Sequence, residues 1–336
     1  MRIADFDYDL PESAIAQAPL EDRSQSKLLW LHRSSGFVEH RMFRDVPSIL
    51  KPGDLLILNN TRVTARRLFG RKPTGASVEL LVLRKLGMNR YESLVKPGKR
   101  LQPGAQILLE GGMTATIESS IGEGLRELSF HGPTPAEELL SDAGTVPLPP
   151  YIHEDLQDEE RYQTVYASIP GSSAAPTAGL HFTSGLLEEL RKSGVELAFV
   201  TLDVGIDTFR PVTADDLDDH KMHGETCTVP AGTVAAVEAC KGRIIAVGTT
   251  TVRTLESFAT GPRKLTTGTR KTEIFIRPGY EFKVVDGMFT NFHMPRTTML
   301  VMLSAMVDRQ ILMGAYREAL HNGYRFLSFG ESMLIL

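Results

Sequence analysis

The residues best suited to chemistry lie in the run at 176–183, PTAGLHFT, which brings an imidazole, His181, beside an aromatic ring. Thr183 or Ser184 can cap the helix that follows, where exposed backbone amides attract carboxylate or phosphate. The run predicts a substrate site in which His181 transfers protons, although a capped loop with a core His and Phe has the same pattern. The expected substrate-binding residues here are Pro176, Thr177, Ala178, Gly179, Phe182 and Thr183.

A second turn suited to a polar ligand follows the predicted strand 243–247. It offers a glycine, three hydroxyl groups and a cation one turn into a helix, namely Gly248, Thr249, Thr250, Thr251 and Arg253. The spacing is not that of a P-loop, and the absence of a GxGxxG pattern gives no support to a Rossmann-type site. The threonines are candidates for substrate binding, with simple helix capping as the alternative.

Two more groups combine imidazoles with partners. His223 and Glu225 are two residues apart, so in a strand both would point to one face and suit acid–base catalysis. A surface pair is the alternative, and two ligands are too few for a metal, so no metal is expected. Asn291, Phe292 and His293 form another candidate binding group, because an aromatic ring can stack on a base.

Basic residues are concentrated between positions 62 and 72. A net charge of −4 argues against nonspecific coating of nucleic acid, yet leaves room for a local basic face. A solvated charged surface is the other interpretation of such a run. The candidate nucleic-acid-binding cations are Arg62, Arg66, Arg67, Arg71 and Lys72.

The secondary-structure elements that must position these groups follow two different sequence patterns. Residues 68–150 contain short β-rich runs separated by Gly and Pro turns, which is typical of a small all-β barrel. Residues 1–67 and 151–336 alternate strands with helices, one of them predicted over 184–192. We therefore expect one α/β catalytic domain built from both flanks, with the β domain inserted. A β-hairpin is predicted over 271–286, and a last strand over 325–329.

Three sequence features bear on the cellular compartment of the protein, and they agree with one another. Cys227 and Cys240 have no metal or redox spacing and are expected to be reduced core residues. The start of the chain carries acids and no apolar stretch, unlike a signal peptide. The most apolar segment, 299–307, is about half the length that spans a bilayer. A soluble cytoplasmic protein without membrane association is expected.

The order of the motifs resembles one family, the S-adenosylmethionine:tRNA ribosyltransferase-isomerases of queuosine biosynthesis. The similarity extends nearly from end to end. It is carried by LPESAIAQAPLEDRSQSKLL at 10–29, DLLILNNTRVTARRLFG at 54–70, LPPYI at 148–152, RYQTVYA at 161–167, AAPTAGLHFT at 174–183, VTLDVGIDTFRPV at 200–212, MHGE at 222–225, IAVGTTTVRTLES at 245–257, TEIFIRPGYEFKVVDGMFTNFHMP at 272–295 and YRFLSFGESMLI at 324–335.

The resemblance implies a fold and a reaction. The family fold is an α/β barrel with an inserted β domain, so a barrel-like catalytic domain is expected here. The reaction would move the ribosyl part of S-adenosylmethionine onto 7-aminomethyl-7-deazaguanine at the tRNA wobble position. Isomerisation would give epoxyqueuosine and release adenine and methionine. S-adenosylmethionine is then a co-substrate, and no prosthetic group is expected.

Residue type and motif position suggest the roles, which the resemblance does not itself assign. His181 and the His223–Glu225 pair are candidates for proton transfer. Thr249, Thr250, Thr251 and Arg253 are candidates for the ribose hydroxyls or the methionine carboxylate, and Phe182 and Phe292 for flanking a ring.

This sequence departs from the family pattern at three positions. Asp203 replaces a usual His, Asp207 a usual Gly, and Glu331 a usual Asp. A carboxylate in place of an imidazole changes the charge at neutral pH, so Asp203 is not named as catalytic. A noncatalytic tRNA-binding relative and an S-adenosylmethionine-dependent methyltransferase are the alternatives.

Overall fold

The computed structural model describes the chain except residues 123, 206–211 and 213 and the side chain of Arg100. The described residues group into two compact units. The larger unit contains Met1–Thr61, Pro149–Ile169 and Ala175–Leu336. The smaller contains Arg62–Leu148 and Pro170–Ala174.

Strands and helices alternate in the larger unit, and strands dominate the smaller one. The strands are β1 (Lys27–Leu31), β2 (Val38–Met42), β3 (Leu55–Asn59), β4 (Thr61–Val63), β5 (Arg66–Arg71), β6 (Ser77–Gly87), β7 (Arg90–Lys96), β8 (Gln106–Leu108), β9 (Thr114–Gly122), β10 (Leu125–His131), β11 (Ile169–Ser172), β12 (Glu196–Leu202), β13 (Glu225–Val229), β14 (Ile244–Val247), β15 (Ala259–Gly261), β16 (Lys264–Leu265), β17 (Gly268–Thr272), β18 (Gly287–Asn291) and β19 (Ser332–Ile335). The helices are α1 (Val46–Ile49), α2 (Ala136–Asp142), α3 (Ser184–Lys192), α4 (Ala231–Ala239), α5 (Thr249–Phe258), α6 (Thr298–Met306) and α7 (Arg309–His321).

The larger unit is built on a nine-stranded sheet with the order β17-β13-β12-β3-β14-β18-β19-β1-β2. Strand β3 pairs in parallel with β12 and β14, and β14 pairs in parallel with β18. Both faces of these central strands are covered, and every residue of β3, β14 and β18 is buried, including the polar Asn59, Thr290 and Asn291. The prediction of a mixed α/β fold is confirmed.

The expected barrel-like closure of this sheet is not found among the described residues. Their strand order runs from β17 to β2 without closing. A barrel of the βα type needs a repeated series of parallel strands. Here β13, β17 and β2 pair antiparallel with their neighbours and extend the sheet at its margins.

The smaller unit has its own sheet and core. Strands β10, β7, β6, β5, β8 and β9 follow one another around a closed barrel. Alternate side chains point inward, and Leu80, Ile107, Ile117 and Phe130 are fully buried there.

Helix α3 shows how closely a local pattern can specify an element. The prediction over 184–192 is confirmed, and the apolar positions Leu186, Leu187 and Leu190 are its buried face. Thr183 caps the helix by accepting a hydrogen bond from the backbone N–H of Leu186 at 3.1 Å.

Two predicted β elements are wrong. No hairpin forms over 271–286: the buried carboxylate of Glu256 instead accepts backbone N–H groups of Lys283, Val284 and Val285, which fixes an irregular loop. The last strand lies at Ser332–Ile335 and not at 325–329, because Leu327 has a left-handed φ of 70° that a strand cannot hold.

The two cysteines are free, Cys227 buried and Cys240 partly buried. In the described part of the chain, no single helix has the length and apolar character needed to cross a membrane. The bent pair α6 and α7 meets that test only jointly, across a bend of 116°.

Candidate functional site

The candidate site lies where the central parallel strands end. Their carboxyl ends lie at one edge of the sheet, which is where open α/β sheets place ligands. Asn59 ends β3, Thr249 follows β14, and Asn291 ends β18. The separate polar motifs of the sequence are thereby brought to one edge.

The turn after β14 depends on a glycine. Gly248 has a φ of 87°, in the left-handed region, and a Cβ added there would lie 3.5 Å from the Cβ of Ala178. This turn starts α5 at Thr249, so Thr249 and Thr250 occupy its first turn at the sheet edge. Thr251 instead turns inward and donates to the carbonyl of Val247 at 2.6 Å, which makes it a structural residue.

One cavity, here named the Arg253 cavity, has a volume of ≈ 630 Å³. Predicted residues from two separate motifs, His223 with Glu225 and Thr249, Thr250 with Arg253, line it together. Apolar side chains also line it, namely those of Ile274, Phe275, Ile276, Met299 and Met302.

A buried ion pair is part of the lining of the Arg253 cavity. Arg253 Nη1 donates to Glu225 Oε2, and the two residues are only 7% and 6% exposed. Glu225 Oε1 accepts the backbone N–H of Gly205 at 3.0 Å. Arg253 Nε and Nη2 are buried and have no hydrogen-bond acceptor within the described residues. Buried donors of this kind require an acceptor, so they suit the carboxylate of a ligand.

The second cavity, the Asn291 cavity, is smaller, ≈ 60 Å³, and shares Thr249, Thr250 and Met299 with the first. It joins the predicted residues Pro176, Thr177 and Ala178 with the predicted Asn291, Phe292 and His293. The two cavities therefore meet at the first turn of α5.

The polar groups of the Asn291 cavity are fixed by hydrogen bonds. Asn291 donates to the carbonyl of Leu327 at 2.9 Å, and His293 Nε2 lies 2.8 Å from the hydroxyl of Thr290. Burial lowers the pKa of His293 to about 4, so its ring is neutral at pH 7. Burial raises the pKa of Tyr151, another lining residue, to about 12.

His181 lies apart from both of these cavities. It lines a third cavity and stacks on Phe43 with the ring centres 5.0 Å apart. Burial, and then the charges of Arg23 and Arg325, lower the pKa of His181 to about 3. Such an imidazole is a weak proton acceptor at pH 7. Phe182 is fully buried and packs edge-on against Phe43, so its ring belongs to the core.

The rest of the 176–183 loop is packed tightly. Gly179 cannot carry a side chain, because a Cβ would lie 1.9 Å from the hydroxyl of Tyr166. Pro176, Thr177 and Ala178 are the members of this loop that reach the Asn291 cavity.

The basic run lies largely on β5, in the smaller unit. Strand alternation places Arg67, Phe69 and Arg71 on one face, with Leu68 buried behind them. Arg67 pairs with Glu79 at 3.0 Å, whereas Arg71 is exposed and donates to the carbonyl of Gly75 at 3.2 Å. The other predicted cations, Arg62, Arg66 and Lys72, are partly buried.

Some residues at the site were not predicted from the sequence. Asn59 donates from Nδ2 to the carbonyl of Leu202 at 3.0 Å and to the hydroxyl of Thr250 at 3.3 Å, and so ties two strand ends together. Its position at the end of a buried strand was the available signal.

Two other residues, His220 and Phe69, were also not predicted from the sequence. His220 lines the Arg253 cavity, and burial, then the charge of His223, lowers its pKa.

The three positions that depart from the family pattern lie in different environments. Asp203 accepts a hydrogen bond from Thr61 at 2.9 Å, and burial, with a smaller contribution from nearby Glu225, raises its pKa. Glu331 is buried and bonds Arg325 Nε at 2.9 Å. Asp207 lies outside the described residues. Within those residues, no group of three His, Cys, Asp or Glu side chains is arranged to hold a metal ion.

The class of protein follows from comparison with known families. The family model described as "Queuosine biosynthesis protein" matches residues 3–335, and the chain belongs to this family.

Particular relatives are similar over their whole length. Proteins named S-adenosylmethionine:tRNA ribosyltransferase-isomerase from Symbiobacterium thermophilum and Staphylococcus haemolyticus are 50% and 48% identical, with 100% of each chain covered. A crystal structure of S-adenosylmethionine tRNA ribosyltransferase from Thermotoga maritima is 38% identical. The match covers 99% of this chain and 100% of that one, with a TM-score of 0.57.

Proposed function

We propose that this chain is an S-adenosylmethionine:tRNA ribosyltransferase-isomerase. It moves the ribosyl part of S-adenosylmethionine onto 7-aminomethyl-7-deazaguanine at the wobble position of tRNA, forms epoxyqueuosine, and releases adenine and methionine. Full-length identity of 47–50% to relatives with that name supports the reaction. S-adenosylmethionine and tRNA are then its partners, with no prosthetic group or metal, and its compartment is the cytoplasm.

One observation supports the assignment of the site: Arg253, whose buried Nε and Nη2 have no acceptor among the described residues, lines a cavity that continues past Thr249 and Thr250. S-adenosylmethionine has a carboxylate at one end, ribose hydroxyls in the middle and adenine at the other end. Arg253 suits the carboxylate, because a guanidinium offers paired donors to two oxygens. Thr249 and Thr250 suit the ribose hydroxyls, and the Asn291 cavity suits the base.

The proton-transfer step requires a base near the ribose. The sulfonium acidifies the hydrogens on the adjacent ribose carbon, and a base that removes one starts the reaction. We assign this role to His223, because it is exposed in the Arg253 cavity. Glu225 is engaged by Arg253 and is better suited to positioning that guanidinium. His181, with its low pKa and separate cavity, is a weaker candidate.

The tRNA contact is proposed for the basic strand. Arg62, Arg66, Arg67, Arg71 and Lys72 would face backbone phosphates, and exposed Phe69, 66% accessible between two arginines, would stack on a base. We further propose that residues 68–150 are an inserted β-barrel domain and that 1–67 with 151–336 are the catalytic domain.

The test is turnover by the purified chain. We would incubate it with S-adenosylmethionine and tRNA bearing the deazaguanine precursor, then measure released adenine and the mass of the modified nucleoside. Adenine release and an epoxyqueuosine mass are expected, and Arg253→Gln should raise the KM for S-adenosylmethionine.

Exposed Arg191→Gln, in α3 and away from the site, is the matched control for Arg253→Gln. Binding of tRNA without adenine release would refute the enzyme and support a noncatalytic binder. The gain of a single methyl group would indicate a methyltransferase.

A further inference from the structure

The third cavity, here named the His181 pocket, is small, ≈ 20 Å³. The polar side chains that line it are those of Arg23, Ser26, His181, Arg325 and Ser328. A space of this size takes one small group and not a nucleoside. The proposed reaction gives this pocket no role.

His181 offers the pocket an unused nitrogen. The residue is only 5% exposed, and its Nδ1 lies 2.8 Å from the hydroxyl of Ser26. Its Nε2 has no hydrogen-bond partner in the described part of the chain. When Ser26 donates to Nδ1, the neutral ring carries its proton on Nε2, which is then an unused donor on a residue that lines the pocket. A buried donor without an acceptor is costly, so a ligand oxygen would stabilise it.

Arg325 supplies a second unused donor. Its Nε bonds Glu331 Oε1 at 2.9 Å, and its Nη1 donates to the carbonyl of Ala18 at 3.3 Å. These contacts fix the guanidinium plane. The remaining nitrogen, Nη2, is buried and meets no acceptor among the described residues.

The charge around the pocket favours an anion. Arg23 is a second fixed cation, held by the carbonyls of Gln163 and Arg161 at 2.9 and 2.8 Å. No acidic side chain is among the described residues that line the pocket. Two guanidinium groups and an imidazole donor therefore line the pocket, while Glu331 pairs with Arg325 and Asp158, which is not among the lining residues, attracts Arg23.

We propose that the His181 pocket binds one phosphate-type oxyanion, either free phosphate or a phosphodiester of a nucleic-acid backbone. His181 Nε2–H and Arg325 Nη2–H donate to its oxygens, and Arg23 adds electrostatic attraction. Charge-assisted hydrogen bonds from fixed donors are the strong kind, and they define a site for a tetrahedral anion. The proposal stands whether or not the chain transfers ribose.

The direct test observes His181 itself. The full-length protein is labelled with ¹⁵N-histidine, and long-range ¹H–¹⁵N NMR spectra are recorded at pH 7 during titration with inorganic phosphate. Chloride holds the ionic strength constant, and His181→Gln assigns the resonance. A saturable shift of the His181 Nε2 resonance is expected. Arg325→Gln should weaken phosphate binding at least about tenfold, because it removes a charged donor, whereas Arg191→Gln should leave binding unchanged.

Two probes distinguish the sources of the oxyanion. Uridylyl-uridine, which has one phosphodiester, is compared with uridine, which has none. A shift with the dinucleotide identifies a backbone phosphate, and a shift with inorganic phosphate alone identifies the free anion.

The absence of a saturable shift with either probe would overturn the proposal, as would equal affinity in Arg325→Gln and the wild type. Should Arg325→Gln not fold, Arg325→Lys keeps the charge but not the donor geometry, and weaker binding is again expected. Failure of adenine release would leave this binding result untouched, so the two proposals are tested separately.

Discussion

Replacing Glu225 by Gln tests the buried ion pair most directly. The change removes the charge of Glu225 and leaves Arg253 without its counter-ion. Both side chains are more than nine-tenths buried, so water cannot take the place of that counter-ion. Two unit charges about 4 Å apart attract by roughly 4 kcal/mol at an effective dielectric constant of about 20. The amide oxygen of Gln can still accept the backbone N–H of Gly205, so this hydrogen bond, about 1 kcal/mol, is kept. Breaking a buried pair from one side typically costs about 3–5 kcal/mol, and we expect a loss in this range.

The assay is urea unfolding followed by the fluorescence of Trp30, the single tryptophan of the sequence, which is partly buried and packs against the core of the larger unit. The matched control is Glu188→Gln, which removes the exposed partner of Lys192 on α3 and should cost less than about 0.5 kcal/mol. The double change Glu225→Gln with Arg253→Met should recover part of the loss, because no unpaired charge remains. If Glu225→Gln loses no more stability than Glu188→Gln, the pair does not hold the cavity wall together.

Three further predictions follow from particular contacts. Thr183→Ala should lower the free energy of unfolding by about 1 kcal/mol, since it removes the α3 cap, and an unchanged urea midpoint would contradict this. Arg71→Gln should weaken tRNA binding and flatten its dependence on salt, measured by filter binding, whereas equal slopes would leave the basic strand a solvated surface. Because the pKa of folded His293 is lowered to about 4, its contribution to stability is present above its unfolded pKa of about 6.5 and is lost as pH falls through 4. His293→Asn should therefore lose less stability than the wild type between pH 7 and pH 4, and equal losses in urea unfolding would refute that.

Local sequence patterns predicted the pieces of the site better than their assembly. Gly248 and the threonines after it were recognisable, since a glycine, a strand end and a helix start are all encoded within a few residues. The pairing of Glu225 with Arg253 was not, because the residues are 28 positions apart and meet only once β13 and α5 pack. Helix α3 was exact to the residue, whereas the loop after β17 was taken for a hairpin because the distant Glu256 carboxylate decides its path.

His181 is a residue whose loop, but not its side-chain direction, could be predicted from the sequence. It was a candidate for the base because it places an imidazole beside an aromatic ring in a polar loop, and its neighbours Pro176 to Ala178 do line the Asn291 cavity. A tight turn over Thr177–His181 carries the imidazole away from that cavity and towards Ser26. Sequence adjacency therefore identified the loop but not the direction in which its side chains point.

Asp203 has to be understood with the charges around it. It follows β12 at the sheet edge, bonds Thr61, and lies near the carboxylate of Glu225. Arg253 already pairs with Glu225. An ionised carboxylate on Asp203 would therefore be repelled by Glu225 and could not use Arg253 as its own counter-ion. Burial, with a smaller contribution from Glu225, raises the pKa of Asp203, and the hydroxyl of Thr61 donates to its carboxylate at 2.9 Å. The replacement of His by Asp therefore places a second carboxylate near Glu225, which a neutral imidazole would not do.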